Sequence, residues 1–591
     1  MKTEWDFNHL KRYDWKNKRE EIKKAFENFR DKYQQNKTYL ENPKALRAAL
    51  GEYENLGRNY SKGQDELFYY HLKTNQNEND VEARKNLNEI EDFVINMGNE
   101  VIFFVLEIGK ISYEKQKEFL ESEILKDYKH FLEQTFISAK YNLSEKEEKI
   151  LSLTNRTSYD MWVNMVSSLL SKETRKLKCA DGKEREMSYG ELLSLMKSRD
   201  QKLRVRAREA FETILEKYKE IAEFEMNAVL EDKKVSDELR GFERPDKARH
   251  VDDDIDSEIV DSMTNAVTKR FSIAHEYYKF KSKLLGLKKL DYSEKTIDYG
   301  GIKKDYSYKD SISLVKTVFY DLDEEFGKIF DFFSDGGFID AFPKKGKHFN
   351  PFCAHNTISQ PTYILLSHLN KLHDVLTIGH EVGHGINNEL MKKNLNALYF
   401  STPKSTAEVA STFFEDFVLE KLIEGASDEE KLAILMEKLD GDISSIQRQV
   451  GCYNFEKELH STYRKEGYLS LLKIEELFKK HMGAYLGKYV DVSHAGNWWV
   501  YWPHIRDSFY VYSYASGLLI SKAMQKKLKE DKKFVYKIKE FLSYGSSKSP
   551  KEIFLDMGID ISDDKFWNEG LDRVEETLKK AKNLAKKLGK I

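Results

Sequence analysis

The chain has 591 residues, 33% of them charged and 13% aromatic, and its 97 basic and 100 acidic side chains leave a net charge of −3. That length exceeds one ordinary core and points to two or more lobes, or to one large domain with a cleft. The balanced charge selects neither nucleic acid nor an anionic membrane as a partner, and Cys179, Cys353 and Cys452 lie too far apart for a zinc knuckle or a disulfide framework.

The first residues contain no apolar stretch of the signal-peptide kind, and the longest apolar run, Val101 to Leu106, is far too short to span a bilayer. The expectation is a cytoplasmic protein. No proline occurs between Pro43 and Pro245, and segments 18–34, 81–108, 113–140, 144–171 and 188–231 read as amphipathic helices. We assign 1–190 to an N-terminal helical lobe and 191–591 to the region that carries the chemistry.

Val235 to Asp254 reads as a loop before a helix starting near Ser257. Its run Asp252, Asp253, Asp254 lacks the spacing and glycine of a calcium loop and is taken as a charge cluster at the start of that helix. From Leu290 to Asn356, Gly300, Gly301, Gly336, Gly337, Pro343 and Gly346 punctuate short segments. Tyr363 to Leu366 is a β-like run, so a small sheet is expected there. The run either offers an edge for an extended peptide or packs as core.

The stretch Asp374 to Leu390, DVLTIGHEVGHGINNEL, contains H-E-x-x-H at His380, Glu381 and His384. Val375, Leu376, Ile378, Val382, Ile386 and Leu390 give it helical periodicity, with Asp374 as the expected N-cap. On a helix the two imidazoles share a face one turn apart, where they suit one Zn²⁺, and Glu381 projects beside them toward a water. The alternative is a pair of surface or core histidines. Gly379, Gly383 and Gly385 each weaken a helix by about 1 kcal/mol relative to alanine, which implies that another backbone or a substrate comes close.

A catalytic zinc needs a third protein ligand. Glu408, in the expected helix 405–423, is the candidate. Ser405 to Glu408 also reads as a capping box, but beside H-E-x-x-H the ligand reading is preferred. Glu415, two turns on, suits a hydrogen bond to the second nitrogen of a ligating histidine, or is an ordinary surface carboxylate. In segment 498–517, His504, Tyr510 and Tyr514 are candidate donors to a developing oxyanion, with Tyr510 and Tyr514 spaced i, i+4. An aromatic core stripe is the competing reading, and it is preferred for Trp498, Trp499 and Trp502. Leu571 to Leu588 reads as a docked basic amphipathic helix in preference to a membrane contact.

The stretches PTYILLSHLNKLHDVLTIGHEVGHGINNEL, STAEVASTFFEDFV, PHIRDSFYVYSYASG and FLSYGSSKSPKEIFLDMGID, with RGFERPDKARH at 240–250, resemble the oligoendopeptidase F branch of the thimet-oligopeptidase-like zinc metallopeptidases. The resemblance implies a mainly α fold, a large two-lobed helical bowl around a deep channel with a small β-sheet next to the metal-binding helix. It implies His380, His384 and Glu408 as ligands of one zinc, Glu381 as base, and His504, Tyr510 and Tyr514 as contacts to substrate or transition state. The channel would admit short unstructured peptides and exclude folded proteins.

The chain departs from the family pattern at HFNPFCAHN (348–356), at Ser367-His368 and at Ile505-Arg506. Arg506 is read as a surface salt bridge, with a substrate carboxylate as its other possible partner. The resulting expectation is a zinc-dependent endopeptidase acting on short peptides, with no nucleic acid or membrane partner. A metallocarboxypeptidase and a non-catalytic peptide-binding protein with structural zinc are the rival readings.

Overall fold

A computed structural model describes residues 1–11, 14–60, 64–179, 181–300, 304–348 and 350–591, with the side chain of Gln64 left aside. Gly301, named above as loop punctuation, lies outside the described residues. The chain is 73% helical with only small sheets, so the mainly α class holds. It packs into two compact units, each assembled from three stretches: Met1–Leu153, Lys304–Lys421 and Met524–Gly558 in one, and Thr154–Lys303, Leu422–Ala523 and Ile559–Ile591 in the other.

In the first unit the expected sheet has three strands in the order Ile339–Asp340, Tyr363–Leu365, Phe352–Ala354. Ile364 pairs in parallel with Ile339 and antiparallel with Cys353. The run at 363–366 is therefore the central strand, with Tyr363, Ile364 and Leu365 all 0% exposed. It packs as core, and the outer strand on the Cys353 side is Phe352–Ala354.

The H-E-x-x-H helix runs Leu372–Asn394 and buries Val375, Leu376, Ile378, Val382, Ile386 and Leu390, the periodic positions of the sequence. Asp374 is not its N-cap. It is the third helical residue, and its carboxylate folds back to accept from the backbone N–H groups of Leu369 at 2.7 Å and Lys371 at 2.8 Å. Both donors precede Leu372, so the carboxylate ties the incoming loop to the start of the helix.

The three glycines are explained by packing. A methyl group at Gly379 would sit 2.9 Å from Cγ2 of Val418, and one at Gly383 would sit 3.0 Å from Cα of Ser411 and 3.2 Å from the carbonyl of Ala410. Gly385 faces the ring of Phe333 in the same way, at 2.7 Å. Helix Lys404–Glu424 thus lies against the H-E-x-x-H helix at a separation that side chains on one face would prevent.

Elsewhere several boundaries differ from expectation. Segment 113–140 is two helices, Tyr113–Leu120 and Lys129–Ser138, around the 3-10 turn Glu123–Tyr128. Segment 144–171 carries a π turn at Arg156–Asp160. Segment 188–231 divides into Tyr189–Leu195 and Gln201–Arg240, the second capped by Asp200. That helix continues past the expected loop start at Val235 and ends at Gly241, whose φ of 75° suits glycine.

Part of the expected loop is itself helical, Lys247–Asp252. Asp253 is not a solvated charge: it is buried and accepts the hydroxyl of Tyr512 at 2.7 Å. A hairpin, Thr174–Lys178 with Glu184–Ser188, was not expected, because its charge-rich strands lack apolar alternation. The C-terminal helix, Asp564–Lys587, docks as expected and buries Leu571, Val574, Leu578, Ala581 and Ala585.

Candidate active site

The close packing of the two helices brings three sequence candidates together. The rings of His380 and His384 lie 5.1 Å apart. Oε2 of Glu408 is 3.4 Å from Nε2 of His380 and 3.8 Å from Nε2 of His384. One donor atom from each of the three falls within 4.8 Å of the others, and no other such group of His, Cys, Asp or Glu is found among the described residues. Ligands about 2.0–2.2 Å from a tetrahedral zinc stand roughly 3.4 Å from each other, so two imidazole nitrogens and a carboxylate oxygen at these separations fit that ion.

The capping-box alternative for Glu408 does not hold. Lys404 already begins the helix, so Ser405 lies inside its first turn. The Glu408 carboxylate also accepts the hydroxyl of Ser411 at 3.0 Å. Glu415 stands two turns along, with Oε2 at 2.9 Å from Nδ1 of His380. That contact orients the ring and leaves Nε2 pointing at Glu408.

Burial is the largest single influence on Glu408, His384 and Glu381, though not the deciding one at Glu408. It pushes the Glu408 carboxyl up, but the hydrogen bond from His380 and the neighbouring imidazoles outweigh it and hold the group at about 2. Burial pushes His384 down to about 4, which keeps it in the neutral form a metal requires. Glu381, 7% exposed, is pushed up by burial to about 7, the range in which a carboxylate both takes and returns a proton near neutrality. Cys353, on the outer strand, is raised first by burial and next by the charge of Glu381, which places that strand beside the candidate base.

His504, Tyr510 and Tyr514 form a cluster in the second unit. The hydroxyls of Tyr510 and Tyr514 are 3.2 Å apart. The His504 ring stacks on Tyr510 at 5.6 Å and 22°, and lies 6.0 Å from Tyr514. The expected cause was wrong, because the helix begins at Tyr512 and Tyr510 precedes it. The hydroxyls converge through a turn at Phe509, whose φ is +64°.

Glu456, which the sequence did not suggest, holds that turn. Its Oε1 accepts the N–H of Phe509 at 2.9 Å, its Oε2 has no partner, and burial pushes it up to about 8. Burial also pushes His504 down to about 4, and its Nδ1 is buried without a hydrogen bond. Trp498, Trp499 and Trp502 are core, as preferred.

Arg506 is neither a surface ion pair nor open to a ligand. It is 3% exposed, binds both oxygens of Glu225 at 3.2 and 2.7 Å, and donates to the carbonyls of Trp499 and Trp502. Among the described residues no helix is long and apolar enough to cross a membrane.

Comparison with known proteins gives concordant matches. The profile of Peptidase family M3 matches residues 194–573, and that of Oligopeptidase F matches residues 107–171. Oligopeptidase PepF of Bacillus subtilis is 25% identical over 548 residues, covering 90% of this chain and 80% of the relative. An oligoendopeptidase F homolog of Borreliella burgdorferi is 26% identical over 528 residues, covering 86% and 87%. The crystal structure of oligoendopeptidase-F from Enterococcus faecium superposes with a TM-score of 0.72 at 17% identity, covering 97% of this chain and 99% of that one, which shows a shared fold.

Proposed function

Because the chain belongs to Peptidase family M3, we propose that it is a zinc-dependent endopeptidase that cuts short unstructured peptides, with its chemistry in residues 191–591. The observation that carries this reading is the approach of Glu408 to within 3.4 Å of His380 and 3.8 Å of His384, with Glu381 on the same helix. The names of the relatives, oligopeptidase and oligoendopeptidase, support the substrate class.

His380, His384 and Glu408 would hold the ion. A zinc held there supplies Lewis acidity, which lowers the pKa of water toward neutrality and polarises the scissile carbonyl. Glu381 takes the proton from the attacking water and delivers it to the leaving amine. Glu415, through Nδ1 of His380, fixes the tautomer that leaves Nε2 free for the ion. His504, Tyr510 and Tyr514 act on the substrate side. A tyrosine hydroxyl donates to the developing oxyanion, and the stacked, neutral His504 steadies Tyr510.

The test is mass spectrometry of a mixed peptide pool incubated with the protein, with the chelated protein and with Glu381→Gln. Internal cleavage by the first alone supports the reading. Cleavage by Glu381→Gln at the parent rate refutes the base assignment, and release of single C-terminal residues only refutes the endopeptidase.

A further inference from the structure

With Arg506 committed to Glu225, the structure presents a different open cation. Arg448 closes a single π-helical turn, Ser444–Arg448, between helices Asp428–Ile443 and Gln449–Glu466. Such turns widen a helix locally, re-aim its side chains, and recur at functional sites. The guanidinium of Arg448 lies 4.3 Å over the ring of Trp502, and that ring is 6.2 Å from His504. Arg448 therefore stands next to the cluster of His504, Tyr510 and Tyr514, within the same unit.

No carboxylate among the described residues pairs with it. Among the described residues its hydrogen bonding is a single long contact to Oγ of Ser444 at 3.4 Å, and its Nε is buried without a partner. Burial weakens its basicity, and the phenols of Tyr501, Tyr485 and Tyr292 and the thiol of Cys452 act the other way. Other arginines of this unit are paired: Arg204 with Glu294 at 2.8 Å, Arg244 with Asp261 at 2.8 Å, and Arg506 with Glu225 at 2.7 Å. Taking a guanidinium out of water without a counter-ion costs several kcal/mol, so an unpaired one is poised for an anion that arrives from outside.

The surroundings are donors as well. Nε1 of Trp498, buried, has no hydrogen-bond partner among the described residues. The nearby Lys295 sits 3.6 Å over the ring of Tyr292 and donates to that residue's carbonyl. Burial, and next the charge of Arg448, push its amine well down. Arg448 is the guanidinium of this patch, stacked on Trp502. A planar fork with a free edge, fixed on an indole, matches the geometry of a carboxylate.

We propose that Arg448 binds a carboxylate of the peptide substrate, the C-terminal group or an acidic side chain, beside the cluster of His504, Tyr510 and Tyr514. The proposal rests on the peptidase reading and extends it to what the site recognises. A charged anchor at this place makes affinity depend on where the carboxylate falls along the peptide.

The test uses the zinc-loaded Glu381→Gln protein and fluorescence anisotropy of an N-terminally labelled short peptide. Four forms are compared: free acid and C-terminal amide, each with Glu or Gln at one interior position. Amidation weakens binding about tenfold or more if the terminus is the ligand, and Glu-to-Gln replacement does so if the side chain is. Either difference collapses when Arg448→Met is added. Arg448→Gln, which keeps a polar head over Trp502, carries the comparison if the methionine variant fails to fold. Equal affinity for all four peptides overturns the inference alone, as does a difference that survives loss of the arginine. Failure to bind any peptide overturns the peptidase reading and the inference with it.

Discussion

Oε2 of Glu415 meets Nδ1 of His380 at 2.9 Å, seven residues after Glu408 on the same helix. One carboxylate of this helix therefore faces the histidine nitrogens, and a second orients one of those rings from behind. Glu415→Gln keeps the size of the side chain and loses the charge that favours the Nδ1–H tautomer. Its zinc affinity falls by about 10–100-fold, read by competition with a chromophoric chelator, while the far-ultraviolet spectrum stays unchanged. Parent affinity in this variant would remove Glu415 from the site.

The notch at Gly383 sets the distance across which Glu408 reaches. Gly383→Ala forces a methyl group against Cα of Ser411 and the carbonyl of Ala410, neither of which is a flexible chain end. The variant loses about 1–3 kcal/mol of stability in urea and binds zinc more weakly than the parent. Gly190→Ala, where a methyl group meets nothing within 4 Å, is the control. Equal behaviour of the two variants would show that the helix separation is not what the glycine protects.

Glu456 clamps the Phe509 turn and so places Tyr510. Glu456→Ala leaves the N–H of Phe509 unpaired, at a cost of about 1–3 kcal/mol, and lowers kcat more than it changes KM. Glu456→Gln retains an acceptor and recovers most of the turnover. The buried carboxyl titrates near 8 when folded, above the ordinary carboxylate range, so the folded chain holds a proton that the unfolded chain releases. Stability from this group is present below about 4.5 and is lost as pH rises through about 8. The Gln variant flattens that limb of the stability profile, and an unchanged profile would contradict the assignment.

The acid limb has a different origin. Burial pushes His250 down to about 4 and His460 to about 3. Between those values and about 6.5 the unfolded chain binds more protons at these positions, so stability falls as pH drops through that window. Chemical denaturation at stepped pH, parent against His460→Gln, measures it. The variant shows a shallower loss between about pH 6 and pH 4, and parallel curves would rule His460 out.

The grouping of His380, His384 and Glu408 was legible in the sequence because helical spacing brings its two histidines together. His380 and His384 share a face whatever surrounds them, and Glu408 with Glu415 repeats that logic on the next helix. The glycines told of close packing for the same reason. Arg506, Glu456 and Arg448 were misread or missed, because what decides each is a partner far along the chain. Arg506 finds Glu225, Glu456 finds the backbone of Phe509, and Arg448 finds no acid among the described residues. Nor does any periodicity announce a positive φ at Phe509 or the charge-rich hairpin at 174–188.

On the proposed reading, the imidazoles of His380 and His384 and the carboxylate of Glu408 grip one zinc. The most direct measurement is the zinc affinity of Glu408→Ala against the parent, by chelator competition at fixed pH. Loss greater than the about 10–100-fold expected for a residue that acts only through a ligand, with peptide cleavage abolished, is the predicted result. Parent affinity for zinc in Glu408→Ala would contradict the account.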